Sequence, residues 1–101
     1  MIITLEQAKR YLRVDSDYIE EDELIESFIL TATEILKNQT GLTEEELNKT
    51  KLSATYVYKY VAELFENRGT TEAVSLKTQF VLENIVAQLS MNSDYKEKPI
   101  I

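Results

Sequence analysis

The stretch LIESFILTATEILKNQTG, residues 24–41, decides the fold. Leu24, Ile25, Phe28, Ile29, Ala32, Ile35 and Leu36 recur at intervals of three and four, the spacing that gathers apolar side chains along one side of a helix. Thr40 and Gly41 close it, with glycine free to take the left-handed conformation that ends a helix. Upstream, VDSDYIEEDE (14–23) reads as a polar connection whose carboxylates run into the first turn. There they offset the partial positive charge of the helix N-terminus.

The same reading extends outward. Thr4 and Gln7 form a capping box in front of a short helix, with Leu5, Ala8, Tyr11 and Leu12 on one side, ending near Arg13. Thr43 and Glu46 form a second capping box that opens a short helical turn through Lys49. A long helix follows from about Thr50 to Asn67. With each residue turning the helix by about 100°, Ala54, Val57, Tyr58, Val61, Leu64 and Phe65 fall on one face. It stops at ENRG (66–69). Arg68 suits the negative helix end and Gly69 sits just past the cap, so this motif reads as a helix stop rather than a site. Ser75 caps a last helix from Leu76 to about Met91, with Val81, Leu82, Ile85 and Leu89 inward. The predicted fold is all-α: a small single-domain bundle of three long helices plus short ones, residues 1–92, with a flexible tail at 93–101.

Composition narrows the function. The 101 residues contain two glycines and one proline, too few for the turn every ~8 to 12 residues that a β-sandwich needs. Eighteen acids against eleven bases give a net charge of −7, the wrong sign for gripping nucleic-acid phosphates. Histidine and cysteine are both absent, which removes the usual near-neutral acid–base group, thiol nucleophiles, disulfides and ordinary zinc sites. No secretory leader and no apolar run near the ~18 residues of a spanning helix is visible. No cofactor or membrane partner is expected.

Acidic constellations do not rescue a catalytic or metal reading. Asp15, Asp17, Glu23 and Glu26 match four positions of a calcium-loop template, but Glu20 stands where glycine is required and Ile19 replaces an oxygen ligand. Glu20 to Glu23 and Glu44 to Glu46 lie at helix starts, where the helix dipole explains them. Neither a glycine-rich phosphate loop nor a basic recognition helix is present. No catalytic, metal or cofactor-binding residue is assigned.

Apolar residues on outward faces remain. Leu52 and Tyr56 are predicted on the far side of the third long helix's apolar face. Phe80, Ala87 and Met91 are predicted opposite the inner stripe of the last helix. A second apolar stripe on a small domain signals either cover by another subunit or a five-helix packing in which the short elements cover those residues, and cover by another subunit is the favoured reading. Leu52, Tyr56, Phe80 and Met91 are therefore the candidate subunit interface.

In its order of motifs the chain resembles the head–tail connector (head-completion, DNA-packaging) family of tailed bacteriophages and prophages. MIITLEQAKRYLRVD (1–15) is similar to the family's Leu-x-x-Ala-Lys-x-x-Leu-x-Ile/Val-Asp opening. DELIESFILTATEILKNQTG (22–41) is similar to its Asp-x-x-Leu-Ile-x-x-x-Ile-x-x-Ala followed by Thr-Gly. YVAELFENRGT (60–70) is similar to its helix ending Tyr-Glu-Asn-Arg, with Phe65 where tyrosine is common. KTQFVLENIVAQLSMN (77–92) lacks the proline and terminal arginine the family often carries there.

The resemblance implies a non-enzymatic, homo-oligomeric ring beneath the portal that extends the DNA channel and joins head to tail. It implies the portal and a downstream tail-side connector protein as partners, with DNA only as passing cargo. The implied location is the host cytoplasm during assembly, then the head–tail junction of the virion. A ring needs two different faces per subunit, which two outward stripes would supply. An acidic wall also suits DNA that must slide without sticking. In the tail, Tyr95, Pro99, Ile100 and Ile101 stand out from a polar segment, which reads either as an end without a role or as a segment that docks on the portal. The alternative is a small acidic regulator or inhibitor that binds a basic protein partner.

Overall fold

In a computed structural model of the chain, residues 2–68 and 75–91 are described, and they form five helices in chain order. These are α1 (Leu5–Leu12), α2 (Asp22–Thr40), α3 (Glu44–Leu47), α4 (Lys51–Glu66) and α5 (Leu76–Met91). Among the described residues there is no strand. The all-α reading is correct, with α2, α4 and α5 as the long helices.

Both predicted capping boxes form. The Thr4 and Thr43 amides donate to Gln7 Oε1 and Glu46 Oε1 at 2.9 Å, and the return bonds to the threonine hydroxyls are 3.1 Å. Thr50 Oγ1 caps α4, and Ser75 Oγ caps α5 by accepting from the Thr78 amide. Gly41 ends α2 at φ 72°, where a side chain would be strained. Arg13 ends α1 at φ 61°, the one non-glycine residue with positive φ among those described.

The core runs along the seam where α2 meets α4, and α5 closes it from a third side. Ile25, Ile29, Ala32 and Leu36 of α2 meet Val57 and Val61 of α4 and Leu82, Ile85 and Leu89 of α5 in one buried cluster. Ala8 of α1 and Leu47 of α3 plug its flanks. Each fully buried aliphatic side chain contributes about 1.5–3 kcal/mol by leaving water.

Several positions depart from the predicted faces, among them Tyr11, which is exposed on α1, and Leu52, which packs against the core. Leu24 is exposed at the start of α2, turned about 100° away from its fully buried neighbour Ile25. Tyr56, expected outside, is buried, for a reason taken up below. Gly69, the predicted residue after the cap, lies outside the described residues, as does the tail from residue 92 onward.

Candidate interaction surface

On α5, two of the three predicted outward residues, Phe80 and Ala87, are exposed, and Leu76 joins them. Phe80 is 68% exposed and Leu76 83% exposed, and Ala87 lies exposed on the same line. These three fall within about 40° of one another around the helix, on the side opposite Leu82, Ile85 and Leu89. The pattern reading found Phe80 and Ala87 and missed Leu76, which the cap had disguised as a first-turn residue. The signal was available, because Leu76 and Phe80 are four apart. The Met91 side chain lies outside the described residues.

The expected partner stripe on α4 does not form. Tyr56 is only 2% exposed and belongs to the core, and Leu52 is half-buried against that core. The prediction assumed that α4 buries one face. In fact α4 packs against α1, α2 and α5, so it buries more than one side. The Tyr56 hydroxyl reaches the edge of the protein and donates to Gln39 Oε1 at 3.3 Å. Burial, with the neighbouring Tyr60 phenol adding, pushes the Tyr56 phenol up to about 12. The tail residues Tyr95, Pro99, Ile100 and Ile101 lie outside the described residues.

Three polar fasteners gather the bundle end where α1 and α4 finish and α2 and α5 begin. Lys9, 4% exposed, donates to the Ser16 carbonyl at 3.2 Å and the Tyr18 carbonyl at 2.6 Å. Its ammonium also lies 2.7 Å from Asp22 Oδ1, a buried oxygen whose partner is this charge. Arg68 pairs with Glu21 through Nε and, at 3.3 Å, through Nη2, donates to the Phe65 carbonyl at 2.6 Å, and stacks 3.8 Å from the centre of the Phe65 ring. Glu63 accepts from the hydroxyls of Thr78 and Ser75 and from Asn67 Nδ2. The Thr78 bond first, then those from Ser75 and Asn67, hold the Glu63 carboxyl below its ordinary range against a smaller opposing effect of burial. The ENR motif is therefore structural: Arg68 fastens the end of α4 to the start of α2, while Glu63, one turn earlier, fastens α4 to α5.

A hollow of about 260 Å³ between α2, α4 and α5 is lined by Ile35, Gln39, Gln79 and Leu82, with Glu83 its one carboxylate. Among the described residues no cluster of acids is placed to hold a metal ion, and no helix is long and apolar enough to cross a membrane.

The model of the family of phage gp6-like head-tail connector proteins matches residues 2–95. The chain belongs to this family. No curated protein and no solved structure gives a significant match. The match spans all five helices, so the connector motifs fall on identified structural parts. Lys9 is the lysine of the opening motif, and Arg68 is the arginine of Glu-Asn-Arg. A head–tail connector has a structural role in the virion, and its assembly places it with head and tail proteins.

Proposed function

We propose that this connector acts as one subunit of a closed homo-oligomeric ring seated beneath the portal, where it lengthens the DNA channel and offers a surface to the next tail-side protein. The observation that carries this reading is the outward stripe of Leu76, Phe80 and Ala87, on a domain whose core is complete without it. Exposed apolar surface of this kind is costly in a free subunit and is covered by association. Phe80 and Leu76 are the proposed anchors of that interface, with Met91 continuing the line in sequence. Leu52 contributes at most its exposed edge, and Tyr56 contributes through the core.

The net charge of −7 fits a channel lining past which DNA travels as cargo without adhering. The reading places the chain in the host cytoplasm during assembly and at the head–tail junction afterwards. Residues 93–101, with Tyr95, Pro99, Ile100 and Ile101, are proposed to dock on the portal. The acidic-regulator reading is less well supported, because it leaves the α5 stripe without a purpose.

Deleting the coding sequence from its phage is expected to leave filled heads and free tails that do not join, with joining restored by added protein. Infectious particles formed without the protein would defeat the reading. Removing residues 93–101 is expected to preserve helix content but weaken attachment to portal-bearing heads.

A further inference from the structure

Two surfaces at α1 complement each other, and neither belongs to the α5 stripe. Lys9 and Tyr11 are two residues apart, which points them about 200° apart around the helix. On the Lys9 side, the lysine fastens the connection between α1 and α2 through the Ser16 and Tyr18 carbonyls. The loop is thus held in shape while Ile19 remains 69% exposed and Tyr18 lies partly exposed beside it. Asp15, Asp17, Glu20 and Glu23 surround them, all exposed, and no lysine or arginine occurs between Arg13 and Lys37. A loop that merely bridged two helices would need neither a buried lysine nor an exposed isoleucine at its crest.

On the Tyr11 side, Tyr11 stacks on Tyr58 with ring centres 4.8 Å apart, 25° from parallel. Tyr11 is itself 47% exposed. Hollows of about 310 Å³ and 140 Å³ open beside it, the first bordered by Gln7 and Arg10, the second by Lys59 and Ala62. Arg10, Arg13 and Lys59 are exposed and form no ion pair among the described residues. Glu63 and Glu66 also border this seam on the Lys59 side, and Glu63 stays ionised, since the Thr78 and Ser75 hydroxyls stabilise its carboxylate. The nearby Arg68 is shared with Glu21. The hollow on the Arg10 side, lined by Gln7, Arg10, Tyr11 and Tyr58 and by no carboxylate, therefore sets a positive charge beside an aromatic floor, in a chain whose net charge is −7.

We propose that the seam takes the 15–20 loop of a second copy of this chain, with Ile19 and Tyr18 against the Tyr11–Tyr58 pair and the loop carboxylates facing Arg10 and Lys59. The contact is heterologous, since loop and seam are different surfaces, and so it propagates from subunit to subunit. The fastened loop loses little freedom on docking. This inference rests on the ring reading and adds to it a second, electrostatic contact beside the apolar one.

The test is a charge exchange. One copy carries Arg10→Glu with Lys59→Glu, the other Asp17→Lys with Glu20→Lys. Alone, each sets like charge against like charge and is expected to self-associate about a hundredfold more weakly in sedimentation velocity, while melting as the unmodified chain does. Mixed in equal amounts, the two regain association, because every loop then faces an opposite seam in an alternating arrangement. A second measurement uses the absence of cysteine from the chain: a copy with Ile19→Cys and another with Glu66→Cys are expected to cross-link to each other. Normal association of each reversed copy alone, or failure of the mixture to recover together with no cross-link, overturns the contact. If those results appear while Phe80→Glu still abolishes assembly, the ring reading survives. If the unmodified chain never associates, even on portal-bearing heads, the ring reading and this contact fall together.

Discussion

Lys9 of α1 places its ammonium 2.7 Å from Asp22 Oδ1 at the start of α2, and the same ammonium holds two carbonyls of the loop between them. One buried charge thus sets both the angle of α1 and the shape of the connection. Removing one member of such a pair leaves the other charge without a partner in a desolvated place. Lys9→Ala is expected to lower unfolding free energy by about 3 kcal/mol in a urea titration and to expose the loop to proteolysis at Arg13. A loss below about 0.5 kcal/mol would mean that the lysine is not holding the loop.

Tyr56 gives a prediction opposite to the one its helical position suggests. Tyr56→Glu is expected to unfold the monomer, since it buries a charge without a partner. Tyr56→Ala is expected to cost about 3–5 kcal/mol, as loss of a large buried aromatic does. Its phenol is raised to about 12 in the folded chain, against an ordinary value of about 10. A group raised on folding contributes stability that is complete below the unfolded value and disappears as pH climbs through the folded one. Stability should therefore fall from about pH 10 to 12. An ultraviolet titration in which all six tyrosines ionise together near pH 10, in folded protein, would contradict the burial.

Glu63 predicts the acid side. Its folded carboxyl is held below the ordinary range, chiefly by the Thr78 hydroxyl. A depressed group contributes stability above its unfolded value, about 4.3, and loses it as pH falls through the lower folded one. Glu63→Gln is expected to flatten this part of the acid limb and to loosen the first turn of α5, read as faster amide exchange at residues 76–79. Unchanged exchange and an unchanged acid limb would show that the cluster of Glu63, Ser75 and Thr78 does not anchor α5.

What could be read from the sequence follows from what is local. Capping boxes, the glycine stop of α2 and the inner stripe of α5 depend on residues three or four apart, and each formed as predicted. Tyr56 was misplaced because its burial depends on how many helices surround α4, a tertiary fact with no mark in its own periodicity. The fasteners were invisible for the same reason: Lys9 finds Asp22 across an intervening loop and Arg68 finds Glu21 from 47 residues away, and both cations sit where a solvated side chain would look the same.

Arg68→Ala is expected to act through stability. It removes a partly exposed ion pair with Glu21, a bond to the Phe65 carbonyl and the stacking on Phe65, together worth about 1–2 kcal/mol. Loss of assembly with an unchanged melting temperature would instead make Arg68 a contact to a partner.

The most direct measurement of the connector account is the assembly state of Phe80→Glu on portal-bearing heads, taken beside its thermal melt. Phe80 is exposed in the monomer, so the substitution should change folding stability by no more than about 0.5 kcal/mol. Within an interface the same carboxylate would be buried without a partner, and ring formation should be lost. A folded monomer that cannot assemble is the predicted result. A variant that assembles as the unmodified chain does would contradict the account, because the α5 stripe would then face no subunit.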